Sequence, residues 1–183
     1  MKVLGICGSL RRGSFNRLAL AAACELAPVG MAIEVFETLK EVPLFDADDF
    51  AGGFPLSVVR LRDAIRAADA LLFASPEYNF SISGVLKNAI DWASREKEVA
   101  FKDKPVALQS ASPGQMGGGR MQYHLRMALT AIDAQMFGKP EVFVNFAAKK
   151  IDVKTGELTD EAVKDIIKQQ LAAFAKFIAR VKV

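Results

Sequence analysis

The residues best suited to chemistry fall in three short segments. The first is Gly8-Ser9-Leu10-Arg11-Arg12-Gly13-Ser14-Phe15-Asn16, which follows the apolar run Val3-Leu4-Gly5-Ile6-Cys7 and leads into residues with helical spacing. A loop that leaves a buried strand and opens a helix aims backbone N–H groups, and the positive end of the helix dipole, at any bound anion. Ser9, Ser14 and Asn16 add hydroxyl and amide donors, Arg11 and Arg12 add charge, and Gly8 and Gly13 permit a tight turn. This set of donors is a phosphate cradle.

The glycine spacing resembles a Walker A loop, but Ser14 stands where that motif needs Lys, which argues against an ATPase or GTPase. Gly5, Gly8 and Gly13 are also wrongly separated for a dinucleotide pyrophosphate turn. A receiver domain would need an aspartate where the chain has Ser75-Pro76-Glu77. A terminal phosphate monoester remains. The second segment, Ser75-Pro76-Glu77-Tyr78-Asn79-Phe80-Ser81, offers an aromatic ring and amide donors to a flat heterocycle, stiffened by Pro76. The third runs from Ser110 through Ala111, Ser112 and Pro113 to Gly114, just before the glycines 117–119.

Other chemistries are poorly served. His124 is the only histidine, and Cys7 and Cys24 form neither a CxxC pair nor a disulfide framework, so no metal site is expected. No catalytic nucleophile or acid–base pair stands out, and His124 reads as a structural or interface residue. Asp46, Asp48 and Asp49 read as a solvated loop, and Met116, Met121, Met127 and Met136 as packing residues. The net charge of +3 is too small and too dispersed for nucleic acid, yet it suits phosphate-bearing ligands. No apolar run approaches the ~20 residues that span a bilayer, and nothing resembles a signal peptide. The expectation is one cytoplasmic domain over residues 1–183, bound to neither nucleic acid nor membrane.

Five apolar runs must position these loops: residues 1–7, 31–36, 70–74, a run starting at 105–108, and one within 139–146. They alternate with five amphipathic segments, near residues 15–26, 55–68, 84–95, 120–134 and from about 160 onward. Strands buried on both faces and alternating with helices call for a parallel sheet covered on both sides. The predicted fold is α/β, a three-layer sandwich. In such folds ligands sit beyond the carboxyl ends of the strands where strand order reverses, and the three segments follow strands one, three and four.

At this point the chain resembles the NADPH-dependent FMN reductase family of the flavodoxin-like superfamily, its chromate and quinone reductases above all. The first segment carries the likeness, together with Pro76-Glu77-Tyr78-Asn79 and Leu86-Lys87-Asn88-Ala89-Ile90-Asp91-Trp92. Gly118-Gly119-Arg120 and Gln122-Tyr123-His124-Leu125-Arg126 add to it. The resemblance implies a five-stranded parallel sheet of order 2-1-3-4-5, bound FMN, and a homodimer or homotetramer. It places Ser9, Arg11, Gly13, Ser14, Phe15 and Asn16 around the phosphate and Pro76, Glu77, Tyr78 and Asn79 along the isoalloxazine edge. Ser110, Ala111, Ser112 and Gly114 would cover the other side. Ser83 and Ala111 depart from the family pattern, which more often has Pro and a hydroxyl residue there.

The implied activity is a two-step (ping-pong) cycle. NADPH or NADH reduces the flavin, and a quinone, chromate, free flavin or similar small acceptor reoxidises it. The protein supplies position rather than a catalytic side chain. A flavodoxin-type electron carrier is the main rival, but such carriers are strongly acidic and this chain is not. A non-catalytic flavin-binding regulator is the other, since a fold does not by itself fix a function.

Overall fold

The computed structural model describes residues 1–95 and 99–181; residues 96–98, and residues 182–183 of the expected 1–183 domain, lie outside that description. In chain order the elements are β1 (Lys2–Cys7), α1 (Phe15–Glu25), β2 (Ala32–Phe36), α2 (Ala47–Ala51), α3 (Leu56–Ala67), β3 (Ala70–Ala74), β4 (Glu77–Tyr78) and β5 (Ser81–Ile82). There follow α4 (Gly84–Ala93), β6 (Pro105–Ala111), α5 (Gly119–Thr130), β7 (Gln135–Met136), β8 (Val142–Val144), β9 (Ile151–Asp152), β10 (Glu157–Leu158) and α6 (Glu161–Val181).

The main sheet runs β2-β1-β3-β6, with β7 and β8 both beyond β6 and every pairing parallel. This is the flavodoxin-like order, with two short strands sharing the fifth position. Alternation along the central strands sorts the core into two layers. Val3, Leu72 and Ala107 pack under α1 and α6 with Leu20, Leu171 and Phe174. Leu4, Ile6, Leu71, Phe73 and Leu108 pack under α3, α4 and α5 with Leu61, Trp92 and Leu125. β3 is buried at every residue, as its unbroken apolar run requires.

The fifth strand, expected within 139–146, is reduced to Val142–Val144, opposite Gln109–Ala111. Gln135–Met136 pairs earlier, opposite Pro105–Val106, and the Phe137 N–H still reaches the Val106 carbonyl at 2.8 Å. Pro140 then interrupts the ladder because it has no N–H to donate. The acidic stretch is also more ordered than a solvated loop: Asp46 caps α2 by accepting from the Asp48 N–H at 2.8 Å. Pro55 takes the cap position of α3 rather than its first turn. On α1 the buried face is Asn16, Ala19, Leu20, Ala22 and Ala23, turned slightly from the stripe through Phe15, Leu18 and Leu26. Met121 is fully buried, but Met116 and Met127 are exposed, which corrects their reading as packing residues.

Candidate functional site

β1, β3 and β6 are adjacent, β1 and β3 ending in register and β6 running two residues further, so the loops leaving their carboxyl ends converge. Between those loops lies a groove of about 210 Å³. Ser9, Arg11, Ser14, Phe15 and Asn16 form one wall. Pro76, Glu77 and Tyr78 form the second, and Ala111, Ser112 and Pro113 the third.

The first wall is a helix start with its donors turned inward. Ser14 caps α1, its hydroxyl accepting from the Arg17 N–H at 3.4 Å. Ser9, Ser14 and Asn16 are each buried to 3% exposure. Arg11 folds back over the loop: its guanidinium donates to the Gly13 carbonyl and lies 5.2 Å from the centroid of the Phe15 ring. Arg12 is exposed and off the wall. Neither Gly8 nor Gly13 has a positive φ, which corrects their reading as turn glycines. Gly8 serves close approach instead, since a Cβ there would meet the Ser75 Oγ at 2.3 Å. A Cβ on Gly13 would meet nothing within 4 Å, which leaves room above the loop.

The second segment, read as a loop, is a small hairpin, β4 paired antiparallel with β5. Its turn residues Asn79 and Phe80 have φ of 49° and 66°, the twist that a two-residue hairpin turn requires. Asn79 therefore sits at the tip and not on the groove wall. Tyr78 is 54% exposed, so its ring is not a core residue. The Glu77 carboxylate accepts from Arg120 Nε at 2.8 Å and from the Met121 N–H at 3.3 Å. The only acid on the groove wall is thus neutralised from behind, and an anion in the groove meets little repulsion. Arg120 also stacks 3.8 Å from the Phe80 ring centroid.

Ser110 is a correction. Along β6 it points with Leu108 toward α5, donating to the Gly117 carbonyl at 2.6 Å and accepting from Gln122 Nε2 at 2.8 Å. Its fully buried side chain braces the glycine turn instead of facing the groove. Gly118, at φ 89°, lies against it; a Cβ there would be 2.7 Å from that of Ser110. Gly114 is exposed and off the wall, and the wall position falls to Pro113, which a search for polar donors passes over. Gln122 was missed as well. Its signal was a polar residue on the buried stripe of α5, where it donates to Ser110 Oγ and the Val142 carbonyl. Asn16 faces the third loop, with Nδ2 donating to the Ala111 carbonyl at 2.9 Å and Oδ1 accepting from the Ala111 N–H at 2.8 Å.

Cys7 ends β1 beside this site, but burial pushes its thiol pKa up, which keeps it protonated and unreactive at neutral pH. His124 Nδ1 lies 3.0 Å from Ser81 Oγ, a contact that ties α5 to the hairpin. Among the described residues, no three His, Cys, Asp or Glu side chains cluster as a metal site would need, and no helix is long and apolar enough to cross a membrane.

A groove walled by a helix start and rimmed by an exposed aromatic ring, at the switch point of this strand order, lies where flavodoxin-like folds take their ligands. The sequence pattern of the NADPH-dependent FMN reductases matches residues 1–149. The chain belongs to that family. Among fellow FMN reductases, the chain is 50% identical over 182 residues to the NAD(P)H-dependent FMN reductase of Pseudomonas aeruginosa, covering 100% of this chain and 97% of that one. It is 42% identical over 184 residues to the quinone reductase of Escherichia coli, covering 100% and 98%. The solved structure of FerB, a flavoenzyme NAD(P)H:acceptor oxidoreductase from Paracoccus denitrificans, superposes with a TM-score of 0.88 at 32% identity, covering 98% of this chain and 97% of that one. The likeness to these reductases thus runs along nearly the whole of this chain.

Proposed function

We propose that the groove holds FMN and that the chain is an NAD(P)H-dependent reductase of quinones, with chromate and free flavin as further small acceptors. One observation carries the placement. The N-terminus of α1, with Ser9 and Ser14 buried and Arg11 folded back onto Gly13, opens into the groove at the sheet's switch point. The residues fit the cofactor. The cradle offers hydroxyl and backbone donors and one guanidinium to a phosphate, with clear space above Gly13. The other two walls, Pro76 to Tyr78 and Ala111 to Pro113, suit a flat ring.

When bound, FMN supplies the hydride and electron transfer between nicotinamide and acceptor. The chain binds and orients. Ser9 and Ser14 donate to phosphate oxygens, and Arg11 balances their charge. Pro76 to Tyr78 on one side and Ala111 to Pro113 on the other fix the plane of the ring. The exposed ring of Tyr78 at the mouth leaves one side open, so NAD(P)H and the acceptor enter in turn by the same route. Exposed Tyr78, Phe80, Tyr123 and Met127, on the hairpin and on the adjoining α5, support a homodimer or homotetramer built beside the mouth. Two free thiols, Cys7 and Cys24, suit a reducing cytoplasm.

The test is the visible absorption spectrum of the protein after saturation with FMN and desalting, before and after anaerobic NADPH. Retained flavin bands that bleach on NADPH and return with a quinone are the expected result. Flavin that stays bound but is reduced by neither NADPH nor NADH would favour a carrier or regulator and overturn the reductase reading.

A further inference from the structure

We propose that Asn16 is a positioning residue. Its side chain acts as an extra rung that continues the β3–β6 ladder past the end of β3, tying the phosphate cradle to the loop on the ring side. This rests on the reading that the groove holds FMN. The last backbone rung from β3 is the Ser75 N–H, which donates to the Gln109 carbonyl at 3.2 Å. Two residues further along β6, the Ala111 N–H and carbonyl point the same way, as the period of two dictates. There β3 has ended and the chain has turned off at Pro76. Ala111 is 2% exposed, so an unpaired peptide at this place would be strongly unfavourable.

A primary amide carries one donor edge and one acceptor edge, as a peptide does. Asn16 presents both to Ala111, at 2.9 and 2.8 Å, and so stands in for the missing residue of β3. On the other flank the ladder is intact: the Ser112 N–H reaches the Val144 carbonyl at 3.0 Å. With Oδ1 and one N–H of Nδ2 engaged in this way, the Asn16 side chain is a clip between two walls rather than the phosphate ligand that the family likeness implies. The first turn of α1 and residues 111–113 then move as one unit, and the clip is in place before any flavin arrives.

The experiment titrates FMN and riboflavin, which lacks the phosphate, into the flavin-free wild type and the Asn16→Ala, Ser9→Ala and Arg11→Ala variants. Loss of two buried hydrogen bonds should weaken both flavins by the same factor, about tenfold or more, in Asn16→Ala. The ratio of FMN to riboflavin affinity then stays at its wild-type value. A loss confined to FMN would make Asn16 a phosphate ligand and overturn the clip, as would no loss at all. Ser9→Ala and Arg11→Ala should lower FMN affinity alone; if they leave the ratio unchanged, the placement of the phosphate fails, not the clip. A measurement on the wild type needs no variant to fold. The Ala111 amide of the flavin-free protein should exchange with solvent slowly, and exchange as fast as that of exposed Gly114 would refute the clip.

Discussion

Replacing Gly8 by Ala forces a clash whose size follows from the geometry. The new Cβ would lie 2.3 Å from Ser75 Oγ, 2.9 Å from Ser75 Cβ and 3.1 Å from Ser83 Oγ. The first two separations are far inside van der Waals contact, and neither atom is the end of a long flexible side chain. β1 and β3 must therefore part, which strains the Gly8 N–H bond to the Ala74 carbonyl at 2.9 Å and the Ser83 hydroxyl bond to the Gly8 carbonyl at 2.7 Å. Overpacking of this kind costs about 1–3 kcal/mol. For a chain of this length that is a fall in Tm of roughly 2–12 °C. FMN affinity should fall with it, because Gly8 and Ser75 each start a wall of the groove. Thermal unfolding of Gly8→Ala, Ser75→Gly and the double variant gives the deciding cycle. Ser75→Gly removes both clashing atoms, so the double variant should be more stable than the sum of the single effects predicts. Strict additivity, or a Gly8→Ala protein with wild-type Tm, would refute the close-approach argument.

Loss of the Glu77 carboxylate in Glu77→Ala should destabilise the flavin-free protein by about 1–3 kcal/mol in urea unfolding, since Arg120 Nε and the Met121 N–H lose their acceptor. Phe80→Gly relieves a left-handed backbone at φ 66° worth about 1–2 kcal/mol and gives up an Arg120 stack worth about 0.5–1 kcal/mol, so Tm should hold or rise, and a fall would contradict the balance. Phe174→Ala, fully buried between α6 and the sheet, should cost about 3–5 kcal/mol. Burial raises the pKa of both Cys7 and Cys24 above the ordinary 9.0. Above that pH the folded chain holds thiol protons that the unfolded chain releases, so stability is full below pH 9 and declines as pH rises through the folded values. Urea titrations from pH 8 to 10.5 should show that decline, shallower in Cys7→Ala.

The layer order and the strand sequence were legible because β3 and most of β1 are apolar runs and β6 opens on one, Pro105 to Leu108, which few other architectures can bury. The first groove wall was legible for another reason: Ser9, Arg11 and Ser14 are polar side chains placed between a strand and a helix. The direction of a side chain at a strand end was not. Ser110 and Ala111 look equally suited to line a groove, and only the pleat of β6 sends the first toward α5 and leaves the second on the groove wall. Asn79-Phe80 lacks the glycine that marks tight hairpins, so the turn became visible only through its backbone angles. Gly8 was correctly singled out for the wrong reason, because close approach depends on Ser75, a residue 67 positions away.

The divided fifth strand also bears on how the molecule avoids its own copies. A parallel sheet has two rims, and each is a row of peptide groups onto which an unfolded chain could grow. At one rim, β7 and β8 are two and three residues long, with Pro140 between them, too short and discontinuous to template a foreign strand. At the other, β2 carries Glu34, paired with Lys2 at 2.9 Å, so the outermost strand is charged where a sticky one would be apolar. Straightening residues 137–141 into one continuous strand would lengthen the sheet, and would also expose a growing edge for fibrils.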